Sequence, residues 1–580
     1  MDTAQIRDAA KRWLAEDPDP ATRDELAKLL EARDEAALAD RFGGKLEFGT
    51  AGLRGVLGAG PNRMNRAVVI RTTAGLASYL LDAVPDVRHR GVVIGHDARH
   101  GSVPFAADAA SVLAGAGIPV LACKGFAPTP LVAFAVKHLR AAAGVMITAS
   151  HNPPEYNGYK VYWGNAAQIV PPHDAGIAAE IDRVGPLASV RRAELGAART
   201  AGLYRERGPE TLAAYRGEVR ALTRATSGQA GVTVVYTALH GVGGPHAVEA
   251  LRDAGFERVF PVLAQHEPDP DFPTVRFPNP EEPGALDLAL ELAARERADL
   301  VLANDPDADR LAVAARRADG SYVALTGNQV GALLGGYLLR RDPGPDRLAI
   351  TTIVSSPMLG RMCRKAGVRY AETLTGFKWI ANEAMRQESE TGTRFVFGYE
   401  EALGYSVGTV VRDKDGVSAA AVFADLAADA FSRGRTVLEE LEALYREHGL
   451  WVSGQRSARL SQEAMARVMD AFRAVPPAEL AGSRVVRALD YRHGVARDVA
   501  SGATEKLSLP SSNVLAFELE NGGRVTLRPS GTEPKIKYYF DLVETVAADE
   551  PLAAAEARAR AALDRLAADW VARAEAAANA

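Results

Sequence analysis

The chain has 580 residues, too many for one hydrophobic core, and that length suggests about four domains. Hydrophobic residues make up 47% and charged residues 24%, the balance of an ordinary globular protein, and a formal net charge of −5 argues against a nucleic-acid partner. Two cysteines far apart, Cys123 and Cys363, argue against a disulfide framework, and no run approaches the roughly 18 apolar residues needed to span a bilayer, so a cytoplasmic location is expected.

Residues from about Thr3 to Ala39 read as two polar, Ala-rich helices broken at Asp17-Pro18-Asp19-Pro20. A glycine-rich loop follows, Leu46 to Gly55, with Arg54 as its one arginine; a surface turn explains it as well as a phosphate-facing loop does. Three later stretches share one grammar of strand, loop, helix and Ala-Gly cap. They begin at Val92-Val93-Ile94-Gly95, Val232-Thr233-Val234-Val235 and Leu348-Ala349-Ile350-Thr351. Their sum predicts three related α/β domains with mixed, mostly parallel sheets. The segment from Asn513 to Arg528 reads as a hairpin around Asn521-Gly522-Gly523, and a long Ala/Arg helix starts near Leu552, which predicts a C-terminal α+β domain. Charged or polar connections place the domains at 1–205, 206–322, 323–450 and 451–580.

Four loops carry chemistry. Thr148-Ala149-Ser150-His151-Asn152-Pro153 follows the apolar run Ala141 to Ile147, with Lys160 ten positions after Ser150. No G-x-S-x-G elbow surrounds Ser150, and no Walker A motif occurs anywhere. Asp305-Pro306-Asp307-Ala308-Asp309-Arg310 follows Leu300 to Ala303. Alternate positions of an extended segment share a face, so three carboxylates converge and call for a hard divalent cation such as Mg²⁺. An EF-hand is ruled out because Arg310 and Arg316 stand where its glycine and glutamate belong. Gly398-Tyr399-Glu400-Glu401-Ala402-Leu403-Gly404-Tyr405 offers carboxylates to sugar hydroxyls, or acidic caps to a helix. Arg528-Pro529-Ser530-Gly531-Thr532-Glu533-Pro534-Lys535 offers a phosphate grip, or a turn closing a hairpin. Gly376 and Lys378 lie in Thr375-Gly376-Phe377-Lys378-Trp379, where Phe377 and Trp379 also suit a core.

These loops, TASHNPPEYNGYK, DPDADR, GYEEALGY and RPSGTEPKIK in that order, resemble the α-D-phosphohexomutase superfamily over essentially the whole chain. LEFGTAGLRG and TLTGFKWI look most like the branch containing bacterial phosphoglucomutases and the animal phosphoglucomutase-2 type enzymes. The resemblance implies four domains around a central cleft, a phosphorylated Ser150, and Mg²⁺ on Asp305, Asp307 and Asp309 with Ser150 completing the site. It implies that Arg54 and Lys160 lie beside the phosphoserine, with Lys160 or His151 assisting proton transfer. Gly376, Lys378, Glu400, Glu401 and Arg310 would bind substrate, and Arg528, Ser530, Gly531, Thr532 and Lys535 would hold the non-reacting phosphate. The implied activity is interconversion of glucose 1-phosphate and glucose 6-phosphate through glucose 1,6-bisphosphate, which also serves as activator, by a monomer or homodimer. Pentose phosphates and mannose phosphates are the alternative substrates. Many members read Gly-Glu-x-Ser-Gly-His in the sugar loop, whereas Ala402 and Leu403 stand here where that serine is expected and Tyr405 replaces the histidine.

Overall fold

Apolar runs rich in branched residues, too short for helices and bounded by polar loops, form the inner strands of the first two sheets in the computed structural model of the chain, which describes residues 2–50, 52–224, 228–480, 482–530 and 535–579. The chain divides into two compact units. One comprises Met1–Leu325 and Gly404–Gly434, and the other Thr326–Leu403 and Arg435–Ala580.

In the first unit, a six-stranded sheet runs in the order Leu53–Val56, Tyr156–Trp163, Ala143–Ile147, Val92–His96, Val120–Cys123, Tyr204–Arg207. Its last four strands are parallel and its first two antiparallel. Val92, Val93, Val145, Met146 and Ile147 are almost wholly buried, as strands covered on both faces require. A second sheet runs Tyr322–Ala324, Ala312–Arg316, Leu300–Ala303, Val234–Thr237, Val259–Pro261, again with parallel inner strands and an antiparallel edge. Helix Gly416–Ser432 is apolar nearly all round and correspondingly buried, and it packs on helix Gly244–Asp253.

In the second unit, strands Arg347–Thr352, Arg369–Thr373 and Arg394–Glu400 run parallel. An all-antiparallel sheet follows, with Leu450–Arg459 beside Lys535–Glu544, Arg524–Pro529 and Leu515–Leu519. The closing helix Leu552–Asn579 packs on that sheet. Its Trp570 is fully buried and stacks on Phe472 with ring centroids 4.6 Å apart. Among the described residues, no helix is long and apolar enough to cross a membrane.

The expected βαβ units, the hairpin and the terminal helix are all present. Two details differ. The N-terminal region holds three helices rather than two, because Arg33 adopts a left-handed conformation (φ 53°) and Asp34 caps a new helix, Glu35–Phe42, with no glycine or proline to announce the break. Strand Tyr204–Arg207 carries the first sheet past residue 205, and Tyr322–Ala324 carries the second past 322.

Candidate active site

The carboxyl ends of parallel strands deliver the site of the first unit. Val92–His96 and Ala143–Ile147 lie side by side in parallel, with His96 opposite Ile147, so the loops that leave them emerge together. One loop carries Ser150. Its backbone is left-handed (φ 52°), its side chain is buried, and its amide donates to Thr148 Oγ1 at 2.9 Å. The other carries Asp97 and Arg99, a fully buried ion pair at 3.4 Å. The Arg99 guanidinium donates to the main-chain carbonyls of Ser150, Asn152 and Pro153, and Phe272 stacks over it at 4.9 Å. Arg54 sits opposite Gly158 on the edge strand and donates to Asn152 Oδ1 at 3.0 Å. A Cβ on Gly158 would lie 2.6 Å from Thr148 O and 2.7 Å from Leu53 O, so only glycine lets the three segments close around Ser150.

Strand Leu300–Ala303 delivers the aspartates. Asp305, Asp307 and Asp309 are all buried, with carboxylate oxygens within 4.8 Å of one another. Ala308 turns through a left-handed conformation (φ 56°), which folds the loop so that the three carboxylates face inward. Ser150 Oγ donates to Asp305 Oδ2 at 2.7 Å and lies 3.2 Å from His151 Nδ1. Lys160 Nζ donates to Asp307 Oδ2 at 2.7 Å and Asp309 Oδ2 at 3.0 Å. The Arg310 amide donates to Asp305 Oδ1 at 3.0 Å, and its guanidinium lies 3.5 Å from Glu281. Thr129 Oγ1 donates to Asp307 Oδ2 at 2.6 Å, and Lys414 Nζ lies 3.2 Å from Asp309 Oδ2.

Electrostatics separates the three carboxyls. Burial, aided by Asp307 and Asp309, raises Asp305 well above the usual carboxylate range. Burial acts on Asp307 and Asp309 too, but the Lys160 ammonium overrides it and holds both below that range. Burial, followed by the Arg310 and Arg54 charges, pushes His151 well below its usual value, which keeps the imidazole neutral. Asp307 Oδ1 and Asp309 Oδ1 are buried with no hydrogen-bond partner among the described residues. Two such inward-facing anionic oxygens beside a third carboxylate are the donor set of a hard divalent cation, and they fit Mg²⁺.

The second unit holds the other expected residues. Glu400 Oε1 accepts the Gly376 amide at 2.7 Å, with Gly376 at φ 120°. Glu401 Oε2 accepts from Ser355 Oγ at 3.1 Å and Thr352 Oγ1 at 3.4 Å, and burial with Glu400 beside it raises its carboxyl to about 7. Lys378 lies in the first turn of helix Phe377–Thr391, where Phe377 joins a core with Leu348 and Ile350 while Trp379 packs against a separate cluster around Ile353 and Leu489. Arg528 pairs across the sheet with Lys537, and the Ser530 amide donates to the Lys535 carbonyl at 2.8 Å. Gly531 and Thr532 lie outside the described residues.

Sequence reasoning missed Asp97, Arg99, Thr129 and Lys414. The first two carried a usable signal: an acid and an arginine two apart at the carboxyl end of a parallel strand. Thr129 and Lys414 carried none, since tertiary folding alone brings them to the aspartates.

Family models described as phosphoglucomutase/phosphomannomutase alpha/beta/alpha domains I, II and III match residues 45–186, 213–320 and 326–448, and the C-terminal domain of that family matches 466–559. A Schizosaccharomyces pombe protein named probable phosphoribomutase is 41% identical, over 92% of this chain and 93% of its own. The Homo sapiens glucose 1,6-bisphosphate synthase is 37% identical, over 93% and 90%. A crystal structure of a phosphoglucomutase/phosphomannomutase family protein from Burkholderia thailandensis shares the fold, with a TM-score of 0.66 at 21% identity over 92% of this chain and 97% of that one.

Proposed function

The chain belongs to the phosphoglucomutase/phosphomannomutase family, the α-D-phosphohexomutases, and is therefore a phosphosugar mutase, an isomerase of the intramolecular phosphotransferase class; from that premise we propose that it interconverts glucose 1-phosphate and glucose 6-phosphate through a phosphoserine at Ser150. The observation that carries this reading is Ser150 Oγ at 2.7 Å from Asp305 within a buried trio of aspartates.

In this reading the C6 hydroxyl of bound glucose 1-phosphate attacks phosphorus on phosphorylated Ser150. The P–Oγ bond breaks as the P–O6 bond forms, and the hydroxyl proton passes to a base. His151, neutral and beside Ser150 Oγ, suits that task; Lys160, held as an ammonium by Asp307 and Asp309, supplies positive charge instead. The resulting glucose 1,6-bisphosphate turns round and returns its 1-phosphoryl to Ser150 Oγ, leaving glucose 6-phosphate. Mg²⁺ held by Asp305, Asp307 and Asp309 would neutralise charge on the moving phosphoryl group. Arg54 and Arg310 would hold the phosphoryl oxygens, Glu400 the sugar hydroxyls, and Arg528, Ser530, Gly531, Thr532 and Lys535 the resting phosphate. Arg99 fixes the serine loop by its carbonyls.

Ser150→Ala, assayed with glucose 1-phosphate and catalytic glucose 1,6-bisphosphate, should lose at least about a thousandfold in kcat; turnover near wild type would overturn the reading. A pentose substrate is the second reading, favoured by the 41% identity to the protein named probable phosphoribomutase. Comparing kcat/KM on glucose 1-phosphate and ribose 1-phosphate decides between them.

A further inference from the structure

Inside the second unit, a chain of polar groups ends on the sugar loop. Ser355 follows strand Arg347–Thr352 and is fully buried. Its hydroxyl lies 3.1 Å from Glu401 Oε2, 3.3 Å from the Glu401 amide nitrogen and 2.8 Å from Thr352 Oγ1, so it meets both the carboxylate and the main chain of one loop residue. Its carbonyl accepts from Arg524 Nη2 at 2.7 Å. Arg524 is buried as well and is held by both carboxylate oxygens of Glu372, at 3.0 and 2.9 Å from Nη1. Glu372 in turn accepts from Tyr370, whose hydroxyl lies 2.7 Å from Thr351 Oγ1.

Such a network is costly to assemble unless it fixes something, because each buried charge must be compensated. Thr351, Thr352, Tyr370, Glu372 and Arg524 stand in strands, and Ser355 is held between Thr352 and Arg524. Glu401 stands in the loop after strand Arg394–Glu400 and next to Glu400, whose own carboxylate is tied to the Gly376 amide. Fixing Glu401 at its amide and its carboxylate fixes the direction in which the chain leaves Glu400. We propose that Ser355, anchored by Arg524, is a positioning residue that sets the Glu400–Glu401 loop for sugar recognition and so governs discrimination between sugar phosphates. The proposal rests on the reading that this loop meets the sugar.

The test uses the full-length protein, with glucose 1-phosphate and ribose 1-phosphate each titrated calorimetrically into wild type, Ser355→Ala, Glu401→Gln and the double variant. Ser355→Ala should weaken binding of the preferred sugar phosphate about five- to tenfold and shift the ratio of the two Kd values at least about threefold. On the Glu401→Gln background it should add less than about twofold, because the two residues act in series. Kd values and their ratio within twofold of wild type, or effects of the two substitutions that multiply in full, would overturn the proposal. A purely architectural role would lower the unfolding midpoint without changing the ratio, and that result also counts against it. Wild type that binds ribose 1-phosphate but not glucose 1-phosphate would instead overturn the glucose assignment, and the ribose titrations would still judge Ser355.

Discussion

Lys160 Nζ bridges Asp307 and Asp309, 2.7 and 3.0 Å from their Oδ2 atoms, so one buried ammonium serves two of the three clustered carboxylates, with Lys414 a second cation on Asp309. Removing one partner of a buried pair leaves charge uncompensated and costs about 3–5 kcal/mol. Lys160→Met should therefore lower stability by about that amount in urea titrations with EDTA present. Added Mg²⁺ should recover more than half of the loss, because a cation on the same oxygens replaces the missing charge. An equal loss with and without Mg²⁺ would show that the trio holds no cation.

Asp305 makes the opposite case. Burial, with Asp307 and Asp309 close by, disfavours its charged form, so neutral asparagine in its place removes an unfavourable charge from the cation-free protein. Asp305→Asn should unfold in EDTA within about 1 kcal/mol of wild type, the worth of one exchanged hydrogen bond. The same variant should lose both Mg²⁺-dependent turnover and the Mg²⁺-induced rise in unfolding midpoint. EDTA should likewise abolish wild-type activity and Mg²⁺ restore it; indifference to chelation would count against the metal site.

Gly158 is squeezed between two carbonyls, Thr148 O and Leu53 O. Gly158→Ala must push the Arg54 strand or the serine loop outward. A loss of about 1–3 kcal/mol, as for other overpacked sites, should accompany a fall in kcat larger than any rise in KM. Activity and midpoint unchanged from wild type would show that the two segments part freely.

Glu401 carries a pH signature. Its carboxyl holds its proton up to about pH 7 when folded and ordinarily to 4.5, because burial and Glu400 disfavour the charged form. Its contribution to stability is thus complete below about pH 4.5 and is lost as pH rises through about 7. Relative to Glu401→Gln, which has no proton to lose, wild type should lose about 1–3 kcal/mol between about pH 5 and pH 8, the upper end reduced by partial solvent access. Parallel stability curves for the two proteins would refute this.

Much of the fold and the heart of the site were legible in the sequence, for physical reasons that differ by element. Strands such as Val92–His96 and Leu300–Ala303 are buried on both faces and so appear as unbroken apolar runs with polar loops at their ends. Ser150 and the aspartates were visible because their chemistry is dense in a short stretch. Arg99 was not, since its role is to hold carbonyls rather than to react, and Lys414 reaches Asp309 across more than a hundred intervening residues. The third N-terminal helix was hidden because Arg33, and not glycine, takes the left-handed position. Ser355 gave no signal in the sequence, for its meaning comes from Arg524 and Glu401, each distant along the chain.

The first unit takes in Gly404–Gly434, with Lys414 among its residues, after the chain has left it for the second unit. For a ribosome this sets an order of events. The aspartate trio emerges well before the lysine that faces Asp309 and the helix Gly416–Ser432 that buries itself beside Gly244–Asp253, and the unit is not whole until residue 434 has been added. At about 5–20 residues per second the 125 residues from Asp309 to Gly434 keep the nascent unit waiting roughly 6–25 s for its last piece. Throughout that wait three crowded carboxylates and an apolar face lie incompletely covered, which makes this interval, rather than the finished enzyme, the stage most exposed to chaperones and to aggregation.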